Sequence, residues 1–180
     1  EGPARAKPEA FLDQVERKTG AQFAVLVVKS VAPLEAAEYK VRVFQKWGIG
    51  KRGHDDGLLL LVATEDREAR FETGYGLEGT LPDGYQSRVF RDEMAPHFRD
   101  GDYAAGITAG MVACAARLAA EKGVTLEWNG AELRYDGERG GRPPKLVVLL
   151  VFVLFVLVTI AVISALIRGG GGWMVGPGSF

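Results

Sequence analysis

Four carboxylates stand in two short glycine-rich stretches: Asp55 and Asp56 in GIGKRGHDDG, and Glu78 and Asp83 in GYGLEGTLPD. Each stretch also contains G-x-G-x-x-G, at Gly48, Gly50 and Gly53 and again at Gly74, Gly76 and Gly79. Two chemistries use such patterns. Glycines in a tight turn between a strand and a helix cradle a dinucleotide pyrophosphate on the helix N-terminus. Carboxylates gathered with the carbonyls of glycine loops offer oxygen alone, which suits a hard cation, calcium ahead of magnesium, and disfavours zinc. The order of elements separates the two. GIGKRG leaves a helical segment and enters an apolar strand, the reverse of the nucleotide arrangement, and GYGLEG is held apart from the next helix by TLP. No nucleotide is expected. A metal, calcium, is expected at Asp55, Asp56, Glu78 and Asp83, although the spacing fits no EF-hand. Beside this stands a plainer alternative, in which Asp83 caps a helix and the others are solvated loop carboxylates.

The elements around these loops follow from hydrophobic period. Phe11, Leu12 and Val15 keep helical spacing between Pro8 and Thr19, and Gly20 supplies a stop. QFAVLVVK, Gln22 to Lys29, reads as a buried strand, and Leu34, Ala37, Val41 and Phe44 mark a helix ending at Gly48. GLLLLVA, Gly57 to Ala63, is a second strand, apolar on both faces, so a crossover unit with two parallel strands is predicted. After the turn TEDRE, the segment ARFETGYG alternates Phe71, Thr73 and Tyr75 with Arg70, Glu72 and Gly74, as an antiparallel strand would. That fold-back makes the two glycine loops spatial neighbours at one edge of the sheet, with their carbonyls free to point inward. At the opposite tip, Glu65, Asp66 and Arg67 read as a charged turn.

LPDGYQSRVFRDEMAPHF predicts a helix capped by Asp83, with Val89, Phe90, Met94 and Phe98 as apolar contacts and an early end or kink at Pro96. DGDYA turns this helix into the next, which runs from about Asp102 to Lys122 and closes at Gly123. Its Ala, Gly and Thr face predicts close approach to the sheet. The residues up to 123 thus form a layered α/β domain. Residues 124–145 are a linker with a short hairpin at Asn129-Gly130 as one reading of its first part.

The chain has 180 residues and a formal net charge of -1, which gives no pull toward nucleic acid. Cys114 is the one cysteine, so no internal disulfide forms, and with His54 and His97 it makes no zinc set. It reads as core filling. Gly-x-Ser-x-Gly is absent. The uncharged run LVVLLVFVLFVLVTIAVISALI, residues 146–167, would be about 33 Å long as a helix and reads as a transmembrane span, with lipid as its partner. Residues 168–180 form a glycine-rich tail. EGPARAKPEAF has no apolar leader region, so a mature or trimmed product is expected.

The ordered blocks FQKWGIGKRGHDDGLLLLVATEDREARFETGYGLEGTLPD and FRDEMAPHFRDGDYAAGI, residues 44–83 and 90–107, resemble the TPM-domain family. The family takes its name from a thylakoid lumen phosphatase, a photosystem II repair protein and a modulator of acetylcholine receptors. The resemblance implies a Rossmann-like three-layer α/β/α sandwich with one mixed sheet, followed by a single transmembrane helix and a glycine-rich tail. It also implies a domain exported to the extracytoplasmic side of the cell membrane, and it places any site at Asp55, Asp56, Glu78 and Asp83. Two features depart from the family. The opening segment resembling V-x-D-x-A-G-x-L-S is missing ahead of the first helix, so a strand or loop of the site is expected to be lacking. Arg134, Arg139, Arg142 and Lys145 precede the span and only Arg168 follows it, which alone predicts a cytoplasmic domain; the exported placement is adopted on the resemblance.

Two functions follow, with purely structural glycine loops as a third reading. The first is a membrane-anchored accessory or binding module, cation-binding, working on or near a membrane protein complex. The alternative is a metal-dependent acid phosphatase, with a cation at Asp55, Asp56 and Glu78 activating water and Lys51, Arg52 and Arg88 as the nearby positive charges.

Overall fold

A computed structural model of the chain describes residues 3–50, 53–135, 137 and 159. The chain divides into two compact units, Glu1–Gly137 and Glu138–Phe180, and every element described below belongs to the first. The span predicted over 146–167 and the tail lie outside the described residues, apart from Thr159.

Helix α1, Pro3–Thr19, stops at Gly20, whose φ of 82° is open to glycine without strain. Strand β1 is Gln22–Val28, helix α2 is Ala36–Trp47, strand β2 is Gly57–Ala63 and strand β3 is Glu68–Thr73. The three strands form one mixed sheet in the order β1-β2-β3, with β1 and β2 parallel and β2 and β3 antiparallel. The register sets Val25, Leu60 and Phe71 on one face and Leu26, Leu61 and Arg70 on the other.

All seven residues of β2 are buried because both faces are covered. Leu58, Leu60 and Val62 pack into a core with Phe11 and Val15 of α1, and Leu61 and Ala63 pack with Val31 and Ala36 on the α2 side. This is the three-layer α/β/α arrangement that the family resemblance implied. Burying each β2 leucine stabilises the fold by about 2 kcal/mol.

The predicted helix after Leu81 is one helical run with three parts: α3, Asp83–Arg88, a π-helical segment Val89–Met94, and α4, Ala95–Arg99. Pro96 explains the middle part. It has no N–H and its ring would strike the carbonyl four residues back, so the helix widens ahead of it, with the Ala95 N–H reaching Phe90 O. Helix α5, Tyr103–Lys122, begins where Asp102 accepts from Ala105 N at 2.9 Å and ends at Gly123, φ 65°.

The small face of α5 lies against this helical run, where the sequence predicted the sheet. A Cβ on Gly106 would stand 2.5 Å from Phe98 Cε1, and one on Gly110 2.6 Å from Met94 Sδ. The π segment brings Met94 and Phe98 forward, and only glycine leaves room for them. Among the described residues α5 is the one helix long and apolar enough to cross a membrane by length and composition. Here Met111, Cys114, Ala115, Leu118 and Ala119 bury it in the domain core.

The hairpin forms, as β4, Glu127–Trp128, and β5, Ala131–Glu132, across Asn129 and Gly130, both at positive φ as a two-residue turn requires. Leu126 is fully buried, and the Trp128 ring meets Phe11 edge-on at 5.1 Å. The core therefore draws on residues well past Gly123.

Candidate functional site: the joined glycine loops and the cleft beside them

Strand β2 starts where β3 ends, so the two glycine loops meet, as the fold-back predicted. Gly74 N donates to Gly57 O at 2.8 Å and Gly76 N to Asp55 O at 3.0 Å. Gln22 N donates to Asp56 O at 2.9 Å, and the Gln22 side chain accepts from Gly50 N at 2.8 Å. The glycines are what allow this. A Cβ on Gly74 would come within 2.1 Å of Asp55 O, and one on Gly76 within 2.1 Å of His54 O. The repeated pattern is a device for laying one backbone on another. The carbonyls expected to point freely into a site are in part engaged in these bonds: Asp55 O, Asp56 O and Gly57 O each accept one.

Beyond Gly76 the chain makes a 3-10 turn, Tyr75–Leu77, rather than continuing the strand, and Tyr75 is left 80% exposed. The alternation read through Tyr75 therefore stops at Thr73, because Gly74 and Gly76 are committed to the neighbouring loop. This turn delivers Glu78 and Asp83 to a cleft of about 580 Å³ lined by Lys40 of α2, Glu72 and Thr73 of β3, and Gln86 of α3. Lys40 Nζ lies 2.6 Å from Glu72 Oε2 and donates to Phe71 O at 2.7 Å, tying α2 to the edge strand. The buried Gln86 amide donates to Thr73 Oγ1 at 2.5 Å and to Leu81 O at 2.6 Å, fixing the cleft floor.

The structure places the four predicted ligands unequally. Glu78 and Asp83 share the cleft. Asp55, exposed and at a φ of 48°, lies one backbone bond from Gly76 but does not line the cleft. Asp56 is half-buried, with Oδ2 3.8 Å from where a Cβ on Gly20 would stand, on the flank toward α1. Among the described residues no three His, Cys, Asp or Glu side chains gather as a metal-holding group. A cation in the cleft would take Glu78 and Asp83 and complete its six to eight oxygens from water or a partner.

Asp83 does not cap α3: the N-cap is Pro82, without a side-chain cap bond, and Pro82 O accepts from Tyr85 N at 2.8 Å. The extended conformation at Pro82 starts the helix one residue earlier than expected. Of the cations expected nearby, Lys51 and Arg52 lie outside the described residues, and Arg88 Cζ stands 5.7 Å over the Tyr85 ring. Lys40, which does line the cleft, was missed because its partners are thirty-one and thirty-two positions away; its place one helical turn from Ala36, the buried end of α2, was the available signal. Behind the cleft, burial pushes the Tyr85 phenol above its ordinary pKa, and it donates to Ala113 O at 2.9 Å.

The chain matches the TPM domain over residues 3–117. It belongs to the TPM-domain family. Among solved structures it is similar to the N-terminal domain of a protein from P. gingivalis, with 36% identity and a TM-score of 0.60 over 66% of this chain and 78% of that one. It is also similar in fold to the BA42 protein of Bizionia argentinensis, at 18% identity and a TM-score of 0.55, covering 71% of this chain and 86% of that one. No curated protein gives a significant match. The interlocked loops and the cleft all fall inside the matched TPM domain.

Proposed function

We propose that this chain is a membrane-anchored TPM-domain accessory module. The apolar segment 146–167 holds it in the bilayer, with the domain on the extracytoplasmic side, and Glu78 and Asp83 take calcium in the cleft next to a membrane protein partner, with Asp55 and Asp56 adding charge from the adjoining loop. What supports the cation reading most is the cleft itself. Glu78 and Asp83 share it, while its lysine, Lys40, is already paired with Glu72 and does not offset them. The experiment is a calcium titration of the full chain in detergent, followed by thermal unfolding. Calcium should raise the melting temperature, Glu78→Gln with Asp83→Asn should abolish the rise, and Asp55→Asn with Asp56→Asn should reduce it. No rise in wild type at millimolar calcium would refute the cation site.

A metal-dependent acid phosphatase is the second reading, favoured by the cleft's volume of about 580 Å³, enough for a phosphate monoester. Phosphatase assays on the same purified proteins separate the two. Equal rates for wild type and the Glu78→Gln, Asp83→Asn variant would assign the activity to a contaminant.

A further inference from the structure

At the other end of the sheet, where β2 passes into β3, a second cavity of about 500 Å³ lies between the TEDRE turn and the corner joining α4 to α5. Its size is that of a small-ligand pocket. The floor is apolar, made by Val62 with Phe90, Phe98 and Tyr103. The rings form one surface: Phe90 and Phe98 meet at 6.3 Å, and Phe98 and Tyr103 at 5.1 Å. Tyr103 Oη lies 3.4 Å from Thr64 O, so the ring bridges α5 to the end of β2.

The rim carries Arg67 and Arg99. Among the described residues neither guanidinium has a carboxylate partner; Arg99 donates Nε to Ala95 O of its own helix at 3.2 Å. Glu68, the one carboxylate on the lining, is engaged by Arg70 at 3.2 Å. Arg67 also sits at a φ of 55°, in the left-handed region where an ordinary side chain costs about 1 kcal/mol and Gly or Asn would cost less. The backbone thus gives no reason for arginine at this position. Its side chain stands with Arg99 at the mouth of an aromatic pocket.

Guanidinium groups hold carboxylates through charge-assisted bonds, for which Arg99 keeps its Nη groups, and a ring floor holds an apolar body. We propose that this pocket binds a small apolar carboxylate, its aromatic or branched body on Phe90, Phe98 and Tyr103 and its anionic head on Arg67 and Arg99. The site is separate from the cleft of Glu78 and Asp83 and does not rest on the function proposed above.

The test is titration calorimetry on the full chain in detergent with three probes: phenylacetate, its neutral amide phenylacetamide, and acetate. Phenylacetate should bind, with the amide and acetate each weaker by about tenfold or more, the loss expected when a charge-assisted pair or the apolar body is removed. Arg67→Gln and Arg99→Gln, both at exposed positions, should each weaken phenylacetate about tenfold while the melting temperature holds. Glu78→Gln with Asp83→Asn should leave phenylacetate binding unchanged. Equal binding of acid and amide, indifference to both arginine substitutions, or no phenylacetate binding would overturn the proposal.

Discussion

Replacing Gly74 with alanine tests whether the glycines lock two backbones together. The added Cβ would stand 2.1 Å from Asp55 O, where ordinary contact begins at 3.4 Å, so the loops must part by 1.3 Å. The obstacle is backbone and cannot rotate away. Parting the loops by that much carries the Gly74 N to Gly57 O and Gly76 N to Asp55 O bonds, now 2.8 and 3.0 Å, beyond bonding range. Two lost bonds at about 1 kcal/mol each, with their groups left partly desolvated, give a loss of about 2–4 kcal/mol. For a domain of this size the melting temperature should fall by roughly 6–16 °C. Gly84→Ala is the internal control. It lies in α3 with nothing near its Cβ position, and alanine there should stabilise by about 0.5–1 kcal/mol. Thermal unfolding of both variants by circular dichroism decides the matter. A Gly74→Ala protein as stable as wild type, or an equal loss in both, would refute the interlock.

Burial pushes the Cys114 thiol from its ordinary 9.0 up to about 12. The folded state keeps this proton where the unfolded chain has lost it, so stability should fall as pH rises above 9, by up to about 1.4 kcal/mol per unit. Urea unfolding between about pH 8 and 10.5 should show that slope in wild type and a flatter one in Cys114→Ala; equal slopes would sink the assignment. Lys40→Met removes the 2.6 Å pair with Glu72 and the 2.7 Å bond to Phe71 O, and should cost about 1–2 kcal/mol in thermal unfolding. Asp66→Ala, which strips acceptors from Ser30 Oγ and Val31 N, both at 2.8 Å, should cost about 1–3 kcal/mol in the same assay, whereas a merely solvated turn residue would cost nothing measurable.

What could be read from the sequence was what is decided locally. The seven-residue apolar run of β2, the Gly48 and Gly123 stops and the Asn129-Gly130 turn each carry their cause within a few residues. The meeting of the two glycine loops was legible as well, since an antiparallel return fixes which ends are neighbours. What escaped depends on contacts distant in the chain. Nothing local to Lys40 names Phe71 and Glu72 as its partners, and nothing in TEDRE says that Asp66 holds the loop after β1. The π segment needed Pro96 and the glycines of α5 to be considered together. For the candidate site, proximity of the loops was readable, but which carboxylates share a cleft depends on the 3-10 turn that Gly74 and Gly76 impose.

The fold holds the acidic loops by main-chain bonds, and this bears on what their side chains are for. Among the described residues Asp55, Glu78 and Asp83 make no side-chain hydrogen bond or ion pair, and the bonds that seat their loops run between backbone groups and the Gln22 amide. A carboxylate that the fold does not use, and that no cation among the described residues pairs with, is free to meet a ligand. At the other end of β2 and β3, Arg67 and Arg99 have no carboxylate partner among the described residues and stand beside a ring-lined pocket. Charged groups that the fold leaves unpaired beside two separate cavities are what the two proposed ligand sites would use.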